Sequence, residues 1–187
     1  MRLFVALQIP DDVRAALREF VQPLRAKWPR VRWTRPEGQH VTLKFLGEVG
    51  EERLEAIVSV LAPLRSSGPV TIKFRGIGFF PQSRRPRVLW AGVEGSANLQ
   101  PLAAEVEGAL VAVGFAAEQR PFRPHLTLAR FGPEEDTTRL REALAAHVEA
   151  GFGSATASKF ILFRSHLKPG GAQYTPMETF PFVEEKF

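Results

Sequence analysis

The sequence predicts a two-lobed fold of mixed strands and helices, built as two copies of one design. The segment HVTLKFLG at 40–47 returns as HLTLARFG at 125–132, which is 85 residues later. Each half also shows the same order of strand, helix, strand, helix and strand. With 187 residues, 44% of them hydrophobic, and no flexible linker between the halves, one body is expected. We therefore predict a single domain over 1–187, built of two repeats at about 1–80 and 87–165 plus a tail.

In the first repeat, period-2 alternation marks strands and period-3.6 spacing marks helices. Asp11 and Asp12 provide an N-cap and favourable charge for the first helix, and Pro23 is a potential kink within it. The second helix begins at Glu51 and ends before the breaker cluster SSGP at 66–69. The predicted elements are strands at about 2–8, 39–46 and 70–79, with helices at about 11–28 and 51–65.

In the second repeat, Gly114 and Gly151 mark the ends of two helices, as glycine does after a helical C-terminus. The tail from Pro169 to Phe187 contains Tyr174 and PMETFPF, and it either adds a strand or covers the core. The predicted elements are strands at about 87–93, 123–130 and 157–165, with helices at about 98–113 and 135–149.

Composition excludes several classes of protein. The absence of cysteine excludes disulfides, thiolate zinc sites and cysteine nucleophiles. Apolar runs are far shorter than the about 20 residues of a membrane helix, so a cytoplasmic, soluble monomer without a membrane partner is expected. The net charge is +5, with arginine much commoner than lysine, which fits an anionic partner such as nucleic acid or else reflects genome composition or a stability preference.

The repeated motif places an imidazole and a hydroxyl on one side of a strand. Because side chains alternate, His40 and Thr42 project together, and His125 and Thr127 do the same. A core needs apolar volume, so packing alone does not explain both polar types at both places. Two imidazoles facing one groove can act as base and acid in one turnover, while threonine hydroxyls hold charged oxygens. This constellation predicts displacement at a phosphodiester.

Metal and nucleotide sites are not indicated. The sequence lacks H-x-H, HExxH, a P-loop and GxGxxG, so no metal or cofactor is expected. The two remaining histidines, His147 and His166, have no counterpart in the other repeat and receive no role.

The two H-x-T motifs, with RLFVAL at the start, RPFRPH before the second motif and a late tyrosine, resemble the two-histidine phosphoesterase superfamily. The similarity is to its RNA 2',3'-cyclic phosphodiesterases, also called 2'-5' RNA ligases. The resemblance implies an α+β fold with an antiparallel sheet in each lobe and an active site between the lobes. It also implies metal-independent opening of 2',3'-cyclic phosphate RNA ends to 2'-phosphates, and joining of RNA through 2'-5' linkages.

The resemblance further implies roles for individual residues. His40 would be the proton donor to the departing 3'-oxygen and His125 the proton acceptor that activates water, an assignment that the near-symmetric residues alone leave open. Thr42 and Thr127 would hold phosphate oxygens. Arg130 is a candidate phosphate or RNA contact, but strict alternation from His125 turns it to the opposite face, so its role requires a bulge or a sheet edge.

Further RNA contacts are candidates in the basic segments that precede each motif and in one loop, although each arginine there can equally be a solvated surface residue. Phe45 either stacks on a base or lies in the core, and Trp33 either stacks or packs under its loop. The candidate arginines are Arg30, Arg32, Arg35, Arg120, Arg123 and those of the 84–87 loop.

Two other functions remain open. The first is a related phosphodiesterase that acts on another cyclic phosphate, such as ADP-ribose 1'',2''-cyclic phosphate. The second is a non-catalytic RNA-binding module in which the histidines are only contacts.

Overall fold

The computed structural model describes residues 1–168 and 171–182, which form two antiparallel sheets and four α-helices. This confirms the α+β class and the antiparallel sheets. The elements in chain order are β1 (Arg2–Gln8), α1 (Asp11–Lys27), β2 (Arg32–Trp33), β3 (His40–Glu48), α2 (Leu54–Leu61), β4 (Val70–Phe80), β5 (Val88–Gly95), α3 (Leu99–Ala112), β6 (His125–Arg130), α4 (Thr138–Leu144), β7 (Gly151–Ala157), β8 (Lys159–Lys168) and β9 (Gly171–Pro181).

The two repeats exchange strands: β4 of the first repeat lies in the second sheet, and β8 of the second repeat lies in the first sheet. The first sheet has the order β3-β1-β8-β9 and the second has the order β2-β6-β5-β4-β7. The last strand of the first repeat, β4, therefore pairs with β5 of the second repeat, and β8 pairs in turn with β1. Because each sheet needs strands from both repeats, neither sheet is complete within one repeat of the sequence.

One main core joins the sheets. It contains Leu3 of β1, Leu89 of β5 and Leu162 of β8, together with the buried residues of α1 and α3. α1 packs against β7 of the second sheet, and α3 packs against β3 of the first. Each helix thus lies against the sheet of the opposite repeat, which holds the two lobes together through the hydrophobic effect. Within the described ranges, no helix is both long and apolar enough to cross a bilayer.

Most predicted boundaries agree with the structure, but some helices are shorter. α1 runs without interruption through Pro23, and its N-cap is Pro10 rather than an aspartate. The second predicted helix begins as a 3₁₀ turn over Glu51–Arg53, and its α-helical part ends at Leu61, just before Ala62 and Pro63, because proline has no N–H with which to continue the helical hydrogen bonds. The helix predicted over 135–149 is limited to α4 and a 3₁₀ turn over Ala145–His147.

The C-terminal part contains strands that the pattern missed. The predicted strand at 157–165 corresponds to β8, and an unpredicted strand, β7, precedes it and ends at Ala157. β7 reads GFGSATA, with two glycines and Phe152 as its one fully buried side chain, so it lacks the alternation that marks a strand. The tail adds a strand, β9, which carries Tyr174, whereas residues 169, 170 and 183–187 of that tail lie outside the described residues.

Candidate active site

Two β-bulges place the motif side chains on one face. On β3, Ala6 is opposite Thr42 but Val5 is opposite Lys44, so Leu43 is an extra residue and Phe45 returns to the face of Thr42. On β6, Trp90 is opposite Thr127 but Leu89 is opposite Ala129, so Leu128 is extra. The burial of two consecutive residues in each strand agrees with this geometry.

The second bulge decides the position of Arg130. Strict alternation would turn this side chain away from His125, whereas the extra residue in β6 returns it to the same face. Arg130 therefore lines the same cavity as His125 and Thr127. Phe45 occupies the equivalent place in the first motif, so one lobe contributes a cation and the other an aromatic ring.

The two motifs face one shared cavity of about 80 Å³. The four repeated side chains all line it, so the predicted pairing of the histidines across one groove agrees with the geometry. The lining residues are Thr34, Gly38, Gln39, His40, Thr42, Phe45, His125, Thr127, Arg130 and Tyr174.

The ring of His40 packs against the aromatic side chains of Phe4 and Tyr174. The imidazole stacks on Phe4 with the centroids 4.4 Å apart, and Tyr174 meets it edge-on at 5.0 Å. Burial lowers the pKa of His40 to about 4; a hydrogen bond with the Gly38 backbone opposes this change, and the positive charges of Arg130 and His125 reinforce it. His40 is therefore a neutral imidazole at pH 7 in the free protein.

His125 has a fixed ring orientation. Its Nδ1 is 2.8 Å from the carbonyl oxygen of Arg123, and because a carbonyl can only accept, Nδ1 carries the proton. In the neutral ring, Nε2 then has a free lone pair. Burial lowers the pKa of His125, the Arg123 carbonyl opposes the change, and the charge of Arg130 lowers it further. The ring of Phe80 lies edge-on to this imidazole, 5.3 Å away.

Free hydrogen-bond donors surround the histidines. Within residues 1–168 and 171–182, the hydroxyls of Thr42 and Thr127 make no hydrogen bond, and Arg130 has no carboxylate partner. The charge of Arg130 lowers the pKa values of His40 and His125 and also acts on Tyr174, whose pKa burial raises. A cation close to all three groups, with two free hydroxyls beside it, forms a site for an anion.

The segment before the first motif, residues 32–39, completes the cavity. Residues of β2 pair with β6, and the Thr34 amide donates to the Leu128 carbonyl at 2.8 Å. The chain then returns through a 3₁₀ turn over Pro36–Gly38 to β3. Gly38 permits close approach to Tyr174, because a Cβ at this position would lie 2.9 Å from the tyrosine ring.

Sequence reasoning missed three lining residues of this segment and the packing of Phe4 against His40. The position of Thr34, Gly38 and Gln39 in one cavity with the second motif depends on pairing between strands almost 100 residues apart, as Arg32 and Arg130 illustrate. In the sequence, Phe4 is only one member of the apolar strand RLFVAL. The alternation of that strand does not indicate which histidine Phe4 supports.

The remaining candidates, apart from Phe45, lie outside the cavity. Trp33 packs against the core, and its Nε1 donates to the Trp28 carbonyl at 3.0 Å, which decides between its two alternatives. Phe45 is 48% exposed and is not a core residue. Arg120 pairs with Glu118, and Arg85 approaches Glu134 at 3.7 Å. None of the candidate arginines other than Arg130 lines the cavity that the two motifs share.

The cavity does not present the side chains of a metal site. Across the described ranges, no three histidine, aspartate or glutamate side chains are grouped as metal ligands would be. The cavity instead presents two imidazoles, hydroxyls and a guanidinium.

Comparison with known proteins identifies the family. The model of the family described as "LigT like Phosphoesterase" matches residues 7–90 and 93–174 of this chain. The RNA 2',3'-cyclic phosphodiesterase of Methanothermobacter thermautotrophicus is 35% identical over 181 residues, which cover 96% of this chain and 98% of that protein. The protein of the same name from Thermus thermophilus is 39% identical, covering 96% and 89%.

Solved structures agree with these sequence matches. The crystal structure of TT0787 of Thermus thermophilus has a TM-score of 0.80 and 34% identity, covering 99% of this chain and 100% of that one. E. coli LigT complexed with 3'-AMP has a TM-score of 0.77 and 27% identity, covering 98% of each chain. The chain belongs to the LigT-like phosphoesterase family, as its two H-x-T motifs predicted.

Proposed function

We propose that this protein hydrolyses 2',3'-cyclic phosphate ends of RNA to 2'-phosphates, using its two histidines as acid and base without a metal. The observation that carries the proposal is the single cavity in which His40, His125 and Arg130 lie together with two free threonine hydroxyls. Relatives named RNA 2',3'-cyclic phosphodiesterase, at 35% and 39% identity over nearly the whole chain, support the substrate class.

The reaction requires one proton acceptor and one proton donor on opposite sides of phosphorus. The base takes a proton from water as the water oxygen forms a bond to phosphorus. The bond from phosphorus to the 3'-oxygen breaks, and the acid protonates that oxygen. The phosphate remains attached through its 2'-oxygen, and in-line geometry places the two imidazoles at the two ends of the reacting axis.

His125 suits the role of base. With Nδ1 donating to the Arg123 carbonyl, its Nε2 is an acceptor in the neutral ring. The lowered pKa of His125 keeps that ring neutral at pH 7. The carbonyl also stabilises the imidazolium that forms when the base takes a proton from water.

His40 is the proposed acid, and it needs the substrate to become one. Its pKa of about 4 means that few free molecules hold the proton at pH 7. A bound cyclic phosphate carries a negative charge, which favours the imidazolium form and raises that pKa. Binding of the phosphodiester thus increases the fraction of His40 that is protonated, whereas this fraction is small when the site is empty.

Arg130, Thr42 and Thr127 would hold the non-bridging oxygens. Charge builds up on these oxygens in the transition state, and donors that are already in place stabilise it without reorganisation. The guanidinium offers a planar fork that suits two phosphate oxygens. Phe45, exposed at the cavity, is a platform on which the terminal nucleobase would stack.

The same chemistry accounts for a second reaction. If an RNA 5'-hydroxyl replaces water as the nucleophile, loss of the 3'-oxygen leaves a 2'-5' phosphodiester. We include this 2'-5' ligation in the proposal, with the protein acting as a monomer in the cytoplasm.

Product analysis tests the proposal. A short RNA ending in a 2',3'-cyclic phosphate, incubated with the protein in excess chelator, should yield a 2'-phosphate. A 3'-phosphate product would overturn the proposed leaving group. RNA binding that survives replacement of both histidines, without turnover of any cyclic phosphate by the parent protein, would favour a binding module. Preferred hydrolysis of ADP-ribose 1'',2''-cyclic phosphate would indicate the alternative substrate.

A further inference from the structure

A second, larger cavity adjoins the catalytic one. It measures about 330 Å³ and lies between α1 and the segment that precedes the first motif. This volume is at the lower end of the roughly 300–1,000 Å³ of small-ligand pockets. The catalytic cavity and this one share two lining residues, Thr34 and Gln39. The two cavities therefore lie next to each other, on either side of these residues.

One face of α1 supplies polar and positive groups to this second cavity. Arg18, Gln22 and Arg25 are spaced by four and then three residues, so they project from the same side of the helix. Within the described parts of the chain, neither arginine has a carboxylate partner. Two exposed, unpaired guanidinium groups at the mouth of a cavity attract phosphate.

Gln39 forms the shared wall and has an unsatisfied group. Its side chain is 4% exposed, and its buried Oε1 has no hydrogen-bond partner among the described residues. A buried acceptor without a donor is costly, and the terminal amide turns easily about its last torsion. A ligand that lies across the two cavities, with a ribose hydroxyl or a base amino group, would give this amide a partner.

Chemistry decides which part of an RNA lies there. A 2',3'-cyclic phosphate is by definition the 3' end of its chain, so any further nucleotide is on the 5' side of the reacting nucleoside. We propose that the cavity beside α1 binds the nucleotide immediately upstream of the cyclic phosphate, with Arg18 and Arg25 on the intervening phosphate and Gln39 at the junction. This inference rests on the proposed function, and it makes oligonucleotide ends the preferred substrates over mononucleotides.

The test compares three substrates with the same 3'-nucleoside: a nucleoside 2',3'-cyclic phosphate, its 5'-phosphorylated form, and a dinucleotide ending in the cyclic phosphate. For the parent protein, kcat/KM should be about 10-fold or more higher for the dinucleotide than for the plain nucleoside, since each arginine–phosphate contact is charge-assisted. The 5'-phosphorylated form should recover part of that gain.

The variant Arg18→Gln with Arg25→Gln should bring the ratio of dinucleotide to nucleoside kcat/KM close to one, and lysine at both positions should restore part of it. Arg139→Gln, an exposed arginine on α4 that lines neither cavity, is the matched control and should keep the parent ratio. The glutamine variant should also weaken the salt dependence of kcat/KM for the dinucleotide, because its charge contact with the intervening phosphate is lost.

The outcomes separate this inference from the proposed function. If the parent protein hydrolyses none of the three substrates, the proposed function is wrong and the subsite has no basis. If it hydrolyses all three with equal kcat/KM, the function stands and the subsite is wrong. Equal losses on nucleoside and dinucleotide in the glutamine variant would likewise overturn the subsite. A loss confined to 2'-5' joining with a 5'-hydroxyl strand would place the acceptor strand there instead.

Discussion

His40 stacks on Phe4, with 4.4 Å between the ring centroids and 27° between the ring planes. Phe4 is fully buried in a small aromatic cluster on the cavity side of the first sheet, together with Phe163 and the packed ring of Tyr174. The apolar side of this cluster removes water from the imidazole, and loss of hydration disfavours its charged form. The pKa of the proposed proton donor is thus lowered by the aromatic residue on which it packs.

We predict that protonation of His40 lowers the free energy of unfolding in acid. Its folded-state pKa of about 4 lies below its ordinary value of 6.5, so the unfolded chain binds more protons between these pH values. Stability from the neutral ring is present above pH 6.5 and is lost as pH falls toward 4, by about 3 kcal/mol. Urea unfolding at pH 7 and pH 4 measures the difference.

The comparison requires two variants. His40→Gln should reduce the loss of unfolding free energy between the two pH values, whereas His147→Gln, an exposed histidine outside the cavity, should leave it as in the parent. An unchanged pH dependence in His40→Gln would show that the ring is not held neutral by burial.

The pH dependence of catalysis should differ between free and bound enzyme. Both imidazole pKa values are lowered in the empty site, so the kcat/KM profile should have its optimum below pH 6.5 and an acid limb near pH 4. Bound phosphate raises both values, so the kcat profile should move to higher pH. A kcat/KM optimum above about pH 8 would contradict this origin of the proton transfers.

Removal of the Arg130 charge should move the same profile. Its guanidinium lowers the pKa values of both histidines, so Arg130→Met should shift the kcat/KM profile to higher pH. The lost phosphate contact should raise KM by about 10-fold or more. Arg130→Lys keeps the charge but not the fork, so the pH profile should stay in place while KM still rises. Identical profiles in Arg130→Met and the parent would exclude this electrostatic effect.

Each of the two histidines should be essential for hydrolysis. His40→Ala and His125→Ala should each reduce kcat for a cyclic phosphate by roughly 100-fold to 10,000-fold, the range for one general acid or base. Because the two act in one step, the double variant should lose less than the product of the single losses. Circular dichroism confirms that the variants fold, and full activity in either one would refute the assignment.

Lys44 should stabilise the arrangement of the two motifs. Its buried ammonium lies 2.7 Å from a Glu107 oxygen and donates to the Ala116 carbonyl at 2.7 Å, which ties β3 to the segment before the second motif. Lys44→Met leaves a partly buried carboxylate unpaired and should lower the unfolding free energy by about 3 kcal/mol in urea denaturation.

Two further variants test this prediction. Adding Glu107→Gln to Lys44→Met should recover part of the loss, because the uncompensated charge disappears. Arg75→Met breaks an exposed pair with Glu149 and should cost less than about 1 kcal/mol. Equal costs for Lys44→Met and Arg75→Met would show that burial adds nothing to the Lys44 pair.

Local patterns are sufficient for much of the fold and for the four repeated site residues. Strand alternation places His40 with Thr42 and His125 with Thr127, because two residues along a strand always share a face. The same rule places Arg130 wrongly unless a bulge intervenes, and only pairing with β5 reveals the bulge. The pattern misses β7 because its small residues carry little periodic signal.

The sequence by itself determined the duplication, the spacing of the two motifs and which side chains could serve as acid, base and donors, since these follow from residue identity and strand period. Only the tertiary structure decided the exchange of β4 and β8, the return of Arg130 and Phe45 to the cavity, and the aromatic packing that lowers the pKa of His40. The physical reason is that register and desolvation depend on neighbours far away along the chain, which no local pattern contains.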